Sequence, residues 1–149
     1  MAVTWPRPLT HALNDPAFPA LLNTMEEALN QVYVGTGWRN LAGSLANGWT
    51  ATFLNVRRVG TRVDLVGVVS GAAATASPLI TMNSSFGVDA TTGGFMPLPT
   101  SVGTVPGADT MRITSAGQLS SGLRVADIRI VASWPANLVW PTTLPGVAL

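Results

Sequence analysis

The chain contains no cysteine, and it contains no lysine, since all eight basic residues are arginine. Without cysteine, disulfide bonds and thiolate chemistry are excluded. His11 is the only histidine, and a single histidine cannot supply the His/Cys cluster that zinc requires, so we interpret it as structural. No P-loop or GxGxxG motif occurs. The sequence therefore predicts no bound cofactor, and it assigns no residue as a metal ligand.

Charged residues are also scarce. They make up 10% of the 149 residues, and hydrophobic residues reach 47%, whereas an average soluble domain has about 25% charged residues. A surface with so few charges indicates that partners cover much of it, as in an obligate oligomer or a packed shell. The net charge of +1 predicts no general attraction to nucleic acid or to a membrane surface.

Long apolar runs are missing as well. Asp, Arg, Ser, Pro or Gly interrupts every candidate before it reaches the roughly 18 residues that a membrane-spanning helix needs. The residues that follow Met1 do not combine a basic stretch with an apolar one, so we expect no signal peptide.

The stretch Trp49–Val69 consists of two alternating, β-branched runs that are joined at Gly60-Thr61. This pattern is typical of a β-hairpin. Counting outward from a two-residue turn places Arg57 opposite Asp64, which predicts a cross-strand ion pair. The charged tip is either a binding site or an ordinary solvated hairpin end. One face of the hairpin is predicted to be apolar: Leu54, Val56, Val63 and Leu65.

The opposite face of this hairpin is charged near the tip but apolar near the base, where it carries Phe53, Val66 and Val68. One apolar face can pack in the core of its own domain. The other then needs a second layer or a second subunit.

Asp15-Pro16 predicts the start of a helix, with Asp15 as the N-cap, and Gly35-Thr36-Gly37 predicts its end. Between them apolar residues recur with the a/d spacing of two heptads. Such a helix packs either on its own β domain or around an oligomer axis. The predicted stripe comprises Phe18, Leu22, Met25, Leu29 and Val32.

Met1–Asn14 cannot be helical around Trp5-Pro6-Arg7-Pro8, because each proline pushes its predecessor toward extended geometry. We interpret this segment as an extended arm in which Trp5 lies on a neighbouring subunit. The alternative is a frayed terminus.

After residue 37 the sequence consists of short β-type runs with Gly and Pro turns, and no helical pattern alternates with them. This favours an antiparallel β-sandwich or barrel. The clearest strand is predicted over Arg124–Trp134. Asn83–Gly107 is predicted to be mostly loop, with one short strand near Phe95, and Pro135–Leu149 is predicted to run extended over the surface. The predicted division is residues 1–37 as an anchoring arm and short helix, and residues 38–149 as the β-sandwich head domain.

Only one weak candidate for a catalytic site occurs in the sequence. Asp89 and Asp109 could meet across the long loop as a glycosidase pair, but acids in Gly/Thr-rich loops usually cap turns. We therefore expect no enzymatic activity. Whether loop carboxylates hold a calcium ion stays open at this point.

The five tryptophans could form a sugar-stacking platform or could anchor an interface. Trp134 falls on the apolar face of its predicted strand and is expected in the core. Trp38, Trp49 and Trp140 are better explained as interface anchors than as ligand-binding residues.

The order of several short motifs resembles the C-terminal head domains of phage tail fibres and minor tail proteins, especially those of phages that infect actinobacteria. The resemblance covers the chain from Trp38 to Leu149. The motifs are Gly37-Trp38-Arg39-Asn40, Asn47-Gly48-Trp49, the run Val56–Val63, Ile113–Leu119, Ser133-Trp134-Pro135 and Leu144-Pro145-Gly146.

This resemblance implies a trimeric, jelly-roll-like β-sandwich on the virion surface, without catalytic residues. Residues 1–37 contain no shaft-like repeat, so a capsid decoration or head-fibre protein that bridges capsomers fits better than a stalked fibre. The implied partners are further copies of the chain, as a homotrimer, and the major capsid or tail proteins, with no nucleic acid and no membrane. We expect synthesis in the host cytoplasm and a final location on the virion.

The alternative that the resemblance implies is a tail-associated head that binds a host cell-wall glycan. Long loops on β scaffolds often carry recognition. The possible receptor contacts in Asn83–Gly107 are Asp89, Thr91, Thr92 and Phe95.

Overall fold

The computed structural model describes residues 17–33, 35–71, 78–102, 105–106, 111–122, 127–136 and 140–149. In this part of the chain one α-helix, α1 (Ala17–Tyr33), is followed by eleven strands. The strands are β1 (Arg39–Asn40), β2 (Trp49–Val59), β3 (Arg62–Gly71), β4 (Ile80–Thr81), β5 (Phe95–Pro97), β6 (Thr100–Val102), β7 (Val105–Pro106), β8 (Arg112–Thr114), β9 (Gln118–Ser120), β10 (Ile128–Pro135) and β11 (Val147–Ala148).

The strands form two antiparallel sheets. The first has the strand order β11-β1-β2-β3-β10-β6-β7, and the second has the order β4-β9-β8-β5. Buried residues of both sheets belong to one hydrophobic cluster, so the sheets share a core in a sandwich-like arrangement. The prediction of a mainly β, antiparallel fold with one short N-terminal helix is confirmed.

The hairpin formed by β2 and β3 has the predicted register. Arg57 pairs with Asp64 and Leu54 with Gly67. Gly60, the first turn residue, has a φ of 54°, which glycine adopts without steric cost. Because side chains alternate between faces, this register decides which residues of both strands enter the core.

The face that points into the sandwich is the predicted one. All four of its apolar side chains are buried, and each contributes roughly 1.5–3 kcal/mol through the apolar surface that it removes from water. The second sheet contributes Ile113 and Leu119 to the same hydrophobic cluster, and both are also fully buried. The buried hairpin residues are Leu54, Val56, Val63 and Leu65.

Strand β10 begins at Ile128, because Asp127 before it has a φ of 58°, in the left-handed region. The start that was predicted at Arg124 lies outside the described residues. Within the strand, side chains alternate between the two faces, because Ile130 and Trp134 are buried whereas Val131 is exposed.

The prediction that Asn83–Gly107 is mostly loop is wrong in part. Strand β5 was expected near Phe95, but β6 and β7 were not. Strand β6 pairs with β10, and β7 pairs with β6 at the edge of the first sheet. These strands are too short to show an alternating pattern, and Pro106 hides β7 further, so the sequence gives no strand signal.

The tail also differs from the prediction, because its described part does not only run over the surface. Strand β11 pairs with β1, and Arg39 Nε and a terminal nitrogen donate to the carbonyls of Pro145 (3.2 Å) and Gly146 (2.9 Å). The tail therefore completes one edge of the first sheet.

The segment that follows α1 is attached to the head by two hydrogen bonds. Thr36 N donates to Arg58 O (2.8 Å), and Arg58 N donates to Thr36 Oγ1 (2.9 Å). No described helix is long and apolar enough to cross a membrane. The predicted arm Met1–Asn14, with Trp5 and His11, and the predicted cap Asp15-Pro16 lie outside the described residues.

Candidate interaction surface

The first candidate surface is the apolar stripe of α1. Three of its five predicted members have described side chains, and their exposed fractions are 49% for Leu22, 54% for Met25 and 55% for Leu29. The side chains of Phe18 and Val32 lie outside what the structure describes. Half-exposed large apolar side chains in a row do not form part of the chain's own core. The stripe therefore remains available to a partner.

The second candidate surface is a cluster at the hairpin tip, which we call the tip cluster: Trp38, Arg57, Arg62 and Asp64. Arg57 Nε donates to Asp64 Oδ2 at 2.9 Å, and Arg62 Nε donates to Asp64 Oδ1 at 2.7 Å. The predicted cross-strand ion pair is thus present, and a second arginine shares its carboxylate. Two cations and one anion give the cluster a net positive charge.

Within the tip cluster, Trp38 contacts Arg57 through its ring. Its ring lies 4.7 Å from the guanidinium carbon of Arg57, in a cation–π contact. Both residues line a shallow cavity of about 270 Å³, together with Arg62, Asp64 and Val131. Because Asp64 and Trp38 hold Arg57 from two directions, its guanidinium is fixed before any partner arrives.

An apolar area continues from the tip cluster along the outer face of the first sheet. Val131 is 74% exposed and lies opposite Val66 on the neighbouring strand. Phe53 is 38% exposed and lies opposite Val68. This is the face for which the sequence predicted a second layer or a second subunit, and Val131 extends it onto β10.

Arg58, by contrast, points into the protein and is 1% exposed. Its Nε donates to Gly60 O at 2.8 Å, and one terminal nitrogen donates to Ser85 O. Its guanidinium carbon lies 5.1 Å from the centre of the Trp140 ring. Burial lowers the pKa of Arg58 below its ordinary value, but arginine keeps its proton in proteins. Arg58 therefore acts as a buried cross-link.

The three tryptophans that were predicted as interface anchors have different environments. Trp38 is half-buried in the tip cluster, and Trp140 is half-buried over Arg58. Trp49 is only 4% exposed, and its ring packs so closely on Gly71 that a Cβ there would lie 2.7 Å away. Trp49 is a core residue, and its prediction as an anchor is wrong. The predicted core position of Trp134 is confirmed.

The predicted receptor contacts fall in two places. Asp89 caps the turn that follows it, because its Oδ1 accepts from Thr91 N and from Thr91 Oγ1, both at 2.9 Å. These hydrogen bonds hold the pKa of Asp89 below its ordinary value. The side chain of Thr92 lies outside what the structure describes. Asp89 and Thr91 thus bind each other, as the turn-cap interpretation predicted.

Phe95 lies apart from that cap, on the second sheet. It is 53% exposed, and the guanidinium carbon of Arg112 lies 5.9 Å from its ring centre. The two residues line a cavity of about 360 Å³ together with Pro97, Ser120 and Ser121. This size is within the range of small-ligand pockets. The sequence did not indicate Arg112 as a site residue, because Phe95, its neighbour in this cavity, lies far from it along the chain.

No group of three or more His, Cys, Asp or Glu side chains suited to a metal ion occurs within the described ranges. Asp109, the second acid of the weak glycosidase candidate, lies outside them. No protein-family model matches this sequence, and no curated protein matches it either.

Proposed function

We propose that this chain is a non-enzymatic structural protein of the phage virion surface. In this proposal it assembles as a homotrimer, and its N-terminal arm and α1 attach it to neighbouring copies and to the major capsid or tail proteins. Its role is to decorate or reinforce the particle.

One observation carries the self-association in this proposal. The a/d stripe of α1 keeps about half of each described large side chain exposed, although the protein has a separate, fully formed core. An isolated helix of this length is marginal in water, so burial of its stripe against a partner would stabilise both the helix and the assembly. The scarcity of charge and the phage-head motifs from Trp38 onward support the same proposal.

The stripe variant Leu22→Ser/Met25→Ser/Leu29→Ser is expected to dissociate the assembly. The substitutions remove the apolar surface that the partner would bury. Analytical ultracentrifugation should give three times the chain mass for the unmodified protein and the single-chain mass for the variant. The matched control Ala20→Ser/Asn23→Ser/Glu27→Ser changes three residues off the stripe and should remain trimeric. An unmodified protein that is monomeric at all concentrations would contradict the proposal.

The location on the virion is tested by the copy number per particle. Quantitative mass spectrometry of purified virions, relative to the major capsid protein, is expected to give hundreds of copies, as a decoration protein that covers the capsid lattice requires. Complete absence from purified particles would refute a virion role. A few to a few dozen copies would instead place the chain at the tail or at a vertex.

This low-copy outcome is the one that the alternative function requires, namely a tail-associated head that binds host cell-wall glycan. The observation that favours it is the cavity beside Phe95, where an exposed aromatic ring, Arg112 and two serines line one opening. Aromatic rings and hydroxyl groups are suitable contacts for a sugar.

A further inference from the structure

We propose that the tip cluster of one copy receives helix α1 of a second copy, with Glu26 placed against Arg57 and Arg62. This inference rests on the proposed self-association and names the surface that the helix occupies. It makes the contact heterologous: the helix of each copy binds the head of the next, and three such contacts can close a ring.

The tip cluster has hydrogen-bond donors that its two ion pairs do not use. In the described residues both arginines reach Asp64 through Nε, so the terminal amino groups of each guanidinium remain for a second carboxylate. Asp64 is only 14% exposed, whereas Arg57 is 42% and Arg62 is 68% exposed. The charge that faces solvent is therefore mainly positive, and it suits an acidic partner.

The surface beside these arginines is apolar. Trp38 and Val131 line the same cavity as the arginines, and Val131 is the most exposed large apolar side chain of the first sheet's long strands. Phe53 extends the apolar area toward the base of the hairpin. A partner that fits this face should present an apolar stripe with one acidic side chain at its border.

Helix α1 presents that combination. Its only charged residues are Glu26 and Glu27. At about 100° per residue, Glu26 lies roughly 80° from the middle of the stripe and borders it, whereas Glu27 lies roughly 180° away on the opposite side. The 17-residue helix is about 25 Å long, and the 10 residues of β3 span about 33 Å. The helix can therefore lie along the face.

A second copy is the occupant that the chain itself supplies. Both surfaces belong to every copy, both are uncovered in the described residues, and their charges are opposite. Thr36, three residues after the last residue of α1, is held on β2 by two hydrogen bonds. Because both the stripe and Val131 are exposed, the helix of the same copy does not cover this face in the described residues. The face is therefore left for the helix of a neighbour.

Charge inversion tests this contact. The head variant Arg57→Glu/Asp64→Arg/Arg62→Glu inverts the tip cluster but keeps opposite charges across the hairpin. The helix variant Glu26→Arg inverts the bordering charge. Each is expected to weaken assembly at least tenfold in dissociation constant, measured by ultracentrifugation. The matched control Glu27→Arg makes the same charge change on the far side of the helix and should assemble as the unmodified protein does.

Combining the head and helix substitutions in one chain is the decisive step. Every basic helix of this combined variant meets an inverted head, so all three contacts of the ring are again between opposite charges and the trimer should re-form. Recovery of the assembly also shows that the head substitutions leave the chain folded. The single variant Arg62→Glu, which keeps the Arg57–Asp64 pair, should show a smaller loss in the same direction.

Three results would overturn the inference. These are normal assembly of the head variant, equal losses from Glu26→Arg and Glu27→Arg, or no recovery in the combined variant. If the head variant assembles normally while the serine variant of the stripe dissociates, the helices pack on one another and the proposed function stands. If the serine variant also assembles normally, the proposed role of α1 fails with the inference.

Discussion

Replacing Arg58 with methionine is expected to lower the free energy of unfolding by about 2–5 kcal/mol. Methionine fills much of the same space, but it cannot donate to the carbonyls of Gly60 and Ser85. A buried acceptor that loses its donor costs about 1–3 kcal/mol, because it has left water and gained no partner. The measurement is urea-induced unfolding followed by tryptophan fluorescence.

The matched control is Arg62→Met. Arg62 is 68% exposed, and Asp64 keeps its bond to Arg57 when Arg62 is replaced, so we expect a change within about 0.5 kcal/mol. Arg58→Lys separates charge from geometry, since lysine keeps the charge but lacks the planar fork that reaches two carbonyls. If Arg58→Lys and Arg58→Met are both as stable as the unmodified protein, Arg58 is not a cross-link.

Arg58 also shows where sequence reasoning ends. The hairpin register could be predicted from the turn as far as Phe53, because a two-residue turn fixes the pairs that follow it until a bulge intervenes, and this register places Arg58 opposite Val63 on the buried face. The partner that makes this burial possible is Ser85 O, which lies 27 residues further along the chain. Local alternation contains no information about a contact of that range.

The same limit explains the misplaced tryptophan. Trp49 begins a strand whose first residues have no strong alternation, and the register shift between Ala51 and Phe53 breaks the count from the turn. Trp134 lies on an eight-residue strand with unbroken alternation, and its burial was predicted correctly. Trp49 lies beyond a β-bulge when residues are counted from the turn, whereas no register shift interrupts the pairing of the strand that carries Trp134.

For the candidate surface, the sequence was sufficient for the helical stripe and for the Arg57–Asp64 pair, since both follow from spacing within one element. It was insufficient for the tip cluster as a whole. Trp38 reaches Arg57 only because β1 pairs with β2, and Val131 joins the cavity only because β10 pairs with β3. These neighbours depend on the order of strands in the sheet.

Two long side chains of the first sheet hold the short turn Ser84–Phe86. Arg58 on β2 bonds to Ser85 O, and Trp134 on β10 donates through Nε1 to Phe86 O at 2.9 Å. Phe86 itself is fully buried. The turn carries carbonyls into the core, and such groups are tolerated there only when they are hydrogen-bonded.

Replacing Trp134 with alanine is expected to destabilise the protein by about 3–5 kcal/mol, because the side chain is almost fully buried and its removal leaves a large cavity. Trp134→Phe retains most of the apolar contact but removes the donor to Phe86 O, and should cost about 1–3 kcal/mol. The difference between the two variants separates packing from hydrogen bonding. Thermal unfolding followed by circular dichroism provides the comparison.

If both side chains hold the same turn, their effects should not add. Once Arg58→Met has released Ser85 O, the turn can move and give Phe86 O access to another donor, so Trp134→Phe should cost less in that background than alone. A double-mutant cycle of the two substitutions is expected to give a coupling of at least about 0.5 kcal/mol. Additive losses would show that Arg58 and Trp134 bind the turn independently. The two hydrogen bonds would then not act as one cooperative unit.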